Sequence, residues 1–170
     1  RAPHELPAAL MQTAQLYSRV SASGLMQSAA IYEITTKASA LEIELPPAAR
    51  LWTVLVDGAS TKPQRDGDKL LVSLPSGAEL FHRVQLVYEQ DGRPLGLSGR
   101  VSASAPKLLL RSGAESERDT PQADLVWNLV LPAGFVVKQS GGTVEWQNPP
   151  RRIPAALIAG GALYELLGGV

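Results

Sequence analysis

The chain has 170 residues, 16 Lys and Arg against 16 Asp and Glu, two His and no Cys. Zero net charge, with no basic block longer than Arg151-Arg152, lacks the electrostatic footprint that phosphate-backbone binding needs and excludes nucleic acid as a partner class. The lack of Cys excludes disulfides, thiolate metal centres, iron–sulfur clusters and a Cys nucleophile; at this length roughly 69% of the unfolded surface can be buried, so a core needs no such staple.

Arg1 stands where a start Met would, and no charged-then-apolar leader follows, which predicts a segment cut from a larger protein. Residues 1–12 are expected as an N-terminal arm, with a short helix as one form of residues 3–12. Residues 15–22 and 30–36 read as two strands around Gly24. In Leu41-Glu42-Ile43-Glu44-Leu45 apolar and carboxylate residues alternate, the period of a strand with one buried and one hydrated face. Pro46-Pro47 ends it, because proline cannot donate to a ladder. Residues 51–56, Leu-Trp-Thr-Val-Leu-Val, form the next strand and run into Asp57-Gly58, a dipeptide that supplies the positive φ angles of a tight reversal. Asp66-Gly67 signals a second hairpin, followed by strands over 69–74 and 83–88 and a turn at Asp91-Gly92.

Residues 96–105 and 112–122 have little apolar periodicity and read as exposed loops, the first with room for an edge strand. Strands are expected again over 125–131, 135–138 and 143–146, the last two separated by Gly141-Gly142. LEIELPPAARLWTVLVDG and LVWNLVLPAGFVVKQSGG share a plan of strand, Leu-Pro, small-residue turn and strand, which predicts two similarly built hairpins. Residues 153–170, IPAALIAGGALYELLGGV, are almost wholly apolar, but Glu165, Pro154 and four Gly argue against a membrane span.

With turn signals this frequent, the expected fold is all-β: an antiparallel β-sandwich of about ten strands over residues 13–150. The apolar C-terminal segment, 151–170, is expected as a helix or strand packed on the domain or continuing into a neighbouring one.

The chemistry is sparse. A metal site needs several convergent ligands, and the only imidazoles are His4, in the arm, and His82, at the start of a strand; neither has a second His at i+2 or i+4. No Gly-x-Ser-x-Gly elbow accompanies His82, so a Ser-His-Asp triad is not expected. Asp66 and Asp68 flank Gly67 without the rest of a calcium loop and read as turn chemistry. Glu42 and Glu44 share a strand face that alternation assigns to solvent. Gly141-Gly142 and Gly160-Gly161 lack a phosphate-loop context. Hence no catalytic residue, metal ligand or cofactor is expected.

The three tryptophans carry the remaining ambiguity. Trp52 shares parity with Val54 and Val56, and Trp127 with Leu125, Leu129 and Leu131, which predicts that both lie in the core. Trp146 sits at a strand end before Asn148-Pro149-Pro150, so Trp146 with Asn148 forms the candidate ligand-binding pair.

Leu45-Pro46, the run Trp52-x-Val54-x-Val56-Asp57-Gly58, the run Pro63-x-Arg65-Asp66-Gly67-Asp68 and Leu74-Pro75 together resemble β-rich modules of large uncharacterised bacterial envelope proteins. Residues 84–88 and 125–134 extend the likeness to about two thirds of the chain. The resemblance implies a β-sandwich segment of a longer, extracytoplasmic protein and brings no catalytic residues with it. The expected function is a non-catalytic structural or protein-interaction module, whose partner is another protein or a neighbouring domain of the same polypeptide. The alternatives are a carbohydrate-binding module that holds polysaccharide through Trp146, and an enzyme that uses His82 with a loop carboxylate.

Overall fold

A computed structural model describes residues 9–67, 69–75, 80–97, 99–110, 118–119, 124–145 and 147. Apolar and β-branched runs bounded by Gly, Pro and Asp-Gly form, in chain order, β1 (Ala9–Val20), β2 (Met26–Thr36), β3 (Ala40–Glu44), β4 (Arg50–Val56), β5 (Ala59–Thr61), β6 (Gln64–Asp66), β7 (Lys69–Ser73), β8 (Phe81–Gln90), β9 (Lys107–Leu110), β10 (Arg118–Asp119) and β11 (Leu125–Val130). They build a six-stranded sheet in the order β11-β1-β2-β8-β4-β5 and a five-stranded sheet in the order β10-β9-β3-β7-β6. The all-β, two-sheet expectation holds. Every ladder is antiparallel except that of β1 with β11, which runs parallel from Ala14↔Leu125 to Arg19↔Val130.

Alternation places one face of each sheet in a shared core. Leu16, Tyr32, Val54, Leu86 and Tyr88 of the larger sheet pack with Leu41, Ile43, Leu70, Val72 and Leu108 of the smaller one. Each such side chain contributes about 1.5–3 kcal/mol by leaving water. Tyr32 Oη donates across this core to the Pro106 carbonyl at 2.9 Å, joining the sheets directly.

Asp57-Gly58 and Asp66-Gly67 act as expected, whereas Asp91-Gly92 forms no turn and lies in irregular backbone after β8, Gly92 lacking a positive φ. Asp57 (φ 51) and Gly58 (φ 82) close the β4–β5 hairpin, where Val56 pairs with Ala59. Gly67 (φ 61) lies in the turn between Asp66 and Lys69, which pair in β6–β7. Gly24 (φ 89) lies in the turn from β1 to β2, and the backbone after β8 packs so closely on it that an added Cβ would lie 2.3 Å from the Arg93 carbonyl oxygen.

Several expectations need correction. Residues 41–45 and 51–56 do not form a hairpin: β3 belongs to the smaller sheet and β4 to the larger, and Pro46-Pro47-Ala48 carries the chain between them, Ala48 at φ 58. Residues 135–138 and 143–145 contain no strand; a four-residue alternating run gains little from extension without a neighbour to pair with. Residues 9–12, expected in the arm, already belong to β1. β9 was hidden in an unbroken Leu108-Leu109-Leu110 run, which has no period of two because both Leu108 and Leu109 are buried.

The chain divides into two compact units, Arg1–Pro132 and Ala133–Val170. The first contains both sheets. In the second, the described residues form turns and irregular backbone, with Gly134 at φ 84 and Phe135 and Val137 half-buried. The apolar segment 151–170 lies outside the described residues.

Candidate functional site

The outer face of the six-stranded sheet carries the principal candidate, and a β-bulge creates it. The β4–β8 register shifts between Leu51 and Thr53: Leu51 pairs with Tyr88, but Thr53 already pairs with Val87. The extra residue is Trp52, so Leu51 keeps its contact with the core while the indole is turned outward and is 58% exposed. This corrects the core assignment of Trp52, since parity counted from Val54 fails across a bulge.

On the same strand, Arg50 Nε donates to Glu89 Oε1 at 2.8 Å, and Arg50 Nη1 lies 3.1 Å from Asp91 Oδ2. The hydrogen bond that Arg50 donates to Glu89 and the charge of Asp91 hold the Arg50 guanidinium above its ordinary pKa. Trp52 lies on the exposed side of β4 two residues from Arg50, whose ladder partner is Glu89. On β1, Tyr17 is 45% exposed, and Ala29 and Val87 link its row to Thr53.

A second cluster joins strands that the sequence separates. His82 Nδ1 lies 2.8 Å from Asp57 Oδ2, and Asp57 Oδ1 accepts from the Arg83 amide at 2.8 Å. The Asp57 amide in turn donates to the Arg83 carbonyl at 2.9 Å. Partial burial pushes the Asp57 carboxyl up, but the His82 hydrogen bond, the Arg83 amide and the His82 charge outweigh it and leave its pKa lowered. A carboxylate holding Nδ1 orients an imidazole as in a general base. Here the imidazole side chain is only 5% exposed, so the pair acts chiefly as a clamp between the β4–β5 turn and β8.

A third polar row crosses the inner face. Trp127 Nε1 donates to Ser18 Oγ at 3.0 Å, and the hydroxyls of Ser18 and Ser28 lie 2.7 Å apart. Tyr88, opposite Ser28 in the ladder, has a buried hydroxyl that makes no well-formed hydrogen bond. Burial raises the Tyr88 pKa, and a weak hydrogen-bonding interaction with Ser28 pulls the other way. Trp127 packs against the core, as expected.

Glu42, expected on a hydrated face, is only 8% exposed; it lies between Leu71 and Leu109 and 3.8 Å from Lys69 Nζ. Glu44, on the same strand face, lies 4.0 Å from Lys107 Nζ. An open groove of about 530 Å³ runs along Arg19, Val20, Leu25, Gln27, Val130 and Leu131. Among the described residues no three His, Asp or Glu side chains converge as a metal site would need. Trp146, Asn148, His4 and Asp68 lie outside the described residues. The aromatic and charged group at Trp52 was missed, because neither the bulge nor the pairing of β4 with β8 leaves a local signal.

Fold and face together define a two-sheet β-sandwich domain with an aromatic residue displayed on one outer surface. No protein-family model matches the chain, and no curated protein matches it in sequence. Among solved structures it is similar to an M1 zinc metallopeptidase from Deinococcus radiodurans, with 16% identity over 49% of this chain and 20% of that one, at a TM-score of 0.42. A two-domain M1 zinc metallopeptidase mutant bound to L-arginine shows 17% identity over 75% of this chain and 34% of that one, at 0.48. Native leukotriene A4 hydrolase from Saccharomyces cerevisiae shows 12% identity over 52% and 17%, at 0.41. The chain thus spans about a third or less of the length of each.

Proposed function

We propose that this chain is a non-catalytic interaction module of a larger bacterial envelope protein and presents the outer face of its six-stranded sheet to a protein partner. The observation that carries the reading is Trp52, which a bulge directs into solvent two residues from Arg50 and within the same sheet face as Tyr17. Trp, Tyr and Arg are the residues most enriched at binding hot spots, and an exposed indole gains most from being covered. The burial of His82 against Asp57 supports a structural role for this imidazole.

The test is photo-crosslinking in cells that make the protein at its natural length, with the photoreactive residue at position 52 or, as control, at position 60 on β5. A discrete protein adduct from position 52 alone, in the envelope fraction, is the expected result. Equal labelling from both positions, or none from position 52, would overturn the reading.

A second reading has a specific observation behind it. Trp52 is exposed two residues from Arg50, which pairs with Glu89 and Asp91, and an apolar platform near donors and acceptors suits the C–H face and hydroxyl edge of a sugar ring. Trp52 thereby joins Trp146 as a candidate for the carbohydrate-binding alternative. Saturable fluorescence changes on titrating a polysaccharide panel, abolished in Trp52→Ala, would replace the protein-partner reading.

A further inference from the structure

Among the described residues, the two sheets end in four edge strands, β11 and β5 in one and β10 and β6 in the other. Three of these edges are blunted. β5 is three residues, Ala-Ser-Thr, and runs into Lys62-Pro63; β6 is Gln-Arg-Asp; β10 is Arg-Asp. Short length, charge and proline are the usual means by which proteins prevent edge pairing. β11 has none of them within the strand, its flanking Asp124 and Pro132 lying outside the six paired residues. It is six residues, Leu-Val-Trp-Asn-Leu-Val, pairs in unbroken register with β1, and contains no charge, proline or bulge. Its outward side chains Val126 and Val130 are 46% and 57% exposed.

We propose that β11 is a self-association edge that pairs antiparallel with β11 of a second copy, extending the six-stranded sheet across a twofold axis. The side-chain pattern selects both the partner and the register. In a continuous sheet, directly opposed residues share a face, so only registers that match outward with outward are allowed. Centring the twofold on Asn128 sets Val126 opposite Val130 of the second copy and the two Asn128 amides opposite each other on the outer face. On the inner face it sets Trp127 opposite Leu129. Of the two neighbouring permitted registers, that centred on Trp127 would oppose Asp124 with Val130 and Val126 with Asn128, and that centred on Leu129 would oppose Asn128 with Val130 and Val126 with Pro132. Cross-strand pairs of like apolar residues and a reciprocal amide contact favour the first arrangement. The contact is isologous and closes on itself, so it yields a dimer with no further open β11 edge.

The absence of Cys makes the test direct. Asn128→Cys in the full chain places two thiols at the twofold, where the Cα separation of opposed antiparallel residues falls within the disulfide range. Under mild oxidation it is expected to form a covalent dimer, whereas Ser60→Cys on the blunted β5 edge is expected to remain single. By sedimentation the unmodified chain is expected at twice its 18.1 kDa mass, and Val126→Lys with Val130→Lys at the single-chain mass with an unchanged circular dichroism spectrum. Trp52→Ala leaves the dimer intact, which separates this edge from the proposed partner face. A chain of single mass at tens of micromolar overturns the proposal. So does a dimer that survives both lysines, or one in which Ser60→Cys crosslinks as readily as Asn128→Cys.

Discussion

Tyr32 and Tyr88 lie in neighbouring strands of one sheet, both buried in the same core, yet only Tyr32 makes a well-formed hydrogen bond: its Oη reaches the Pro106 carbonyl at 2.9 Å, while the Tyr88 hydroxyl has only a weak interaction with Ser28. Burial, and secondarily the neighbouring Tyr88, raise the Tyr32 pKa well above its ordinary value, so the donor stays protonated at any physiological pH.

The two tyrosines should therefore respond in opposite ways to loss of one oxygen. Tyr32→Phe leaves a buried carbonyl unpaired and removes the cross-sheet bond, at an expected cost of about 1–3 kcal/mol. Tyr88→Phe removes a buried hydroxyl that makes no well-formed hydrogen bond and should be neutral or stabilising by up to about 1 kcal/mol. Urea unfolding of the two variants beside the parent chain measures both; equal destabilisation would contradict the assignment.

The Asp57 clamp predicts a pH dependence. Because its folded pKa is depressed, the unfolded state binds more protons over the interval between the two values, and stability there rises with pH. The contribution is complete above the unfolded value of about 3.9 and is lost as pH falls through the folded one. Asn at position 57 tolerates the positive φ but carries no charge. The difference in melting temperature between the parent and Asp57→Asn should be constant above about pH 5 and shrink towards pH 2. A constant difference across the whole range would remove the ionised carboxylate from the account.

Tryptophan truncation should separate surface from core. Trp52→Ala is expected to change stability by less than about 0.5 kcal/mol, as is usual for exposed positions. Trp127→Ala removes packing against the core and leaves Ser18 without its indole donor, at an expected cost of about 3 kcal/mol. Loss of Trp52, exposed at 58%, should also remove a red-shifted part of the fluorescence emission. Chemical denaturation monitored by circular dichroism, which does not depend on the deleted fluorophore, checks the energies.

Gly24→Ala meets two obstacles at once. The backbone sits at φ 89, and the new Cβ would lie 2.3 Å from a backbone oxygen of Arg93, which has no flexible end to move aside. The expected loss is about 2–4 kcal/mol. At Gly58, also at positive φ but with open space around it, the same change should cost only about 1 kcal/mol. Thermal melts of the two variants compare them directly.

The features legible in the sequence were those with local physical causes. Asp57-Gly58 and Asp66-Gly67 announced their hairpins because positive φ is a demand on one or two residues, and the alternation in β2, β7 and β8 announced strands because side-chain direction has a period of two. β9 escaped because a strand buried on both faces has no alternation to read. The tertiary structure alone decided the rest. Pairing with β8 placed a bulge in β4 and thereby put Trp52 on the surface, and the crossing at Pro46-Pro47 sent β3 and β4 into different sheets. The meeting of Asp57 with His82, and of Tyr32 with Pro106, 74 positions away, likewise followed from which strands became neighbours. Strand neighbours are chosen by burial summed over the whole chain, a quantity that no short stretch of residues contains.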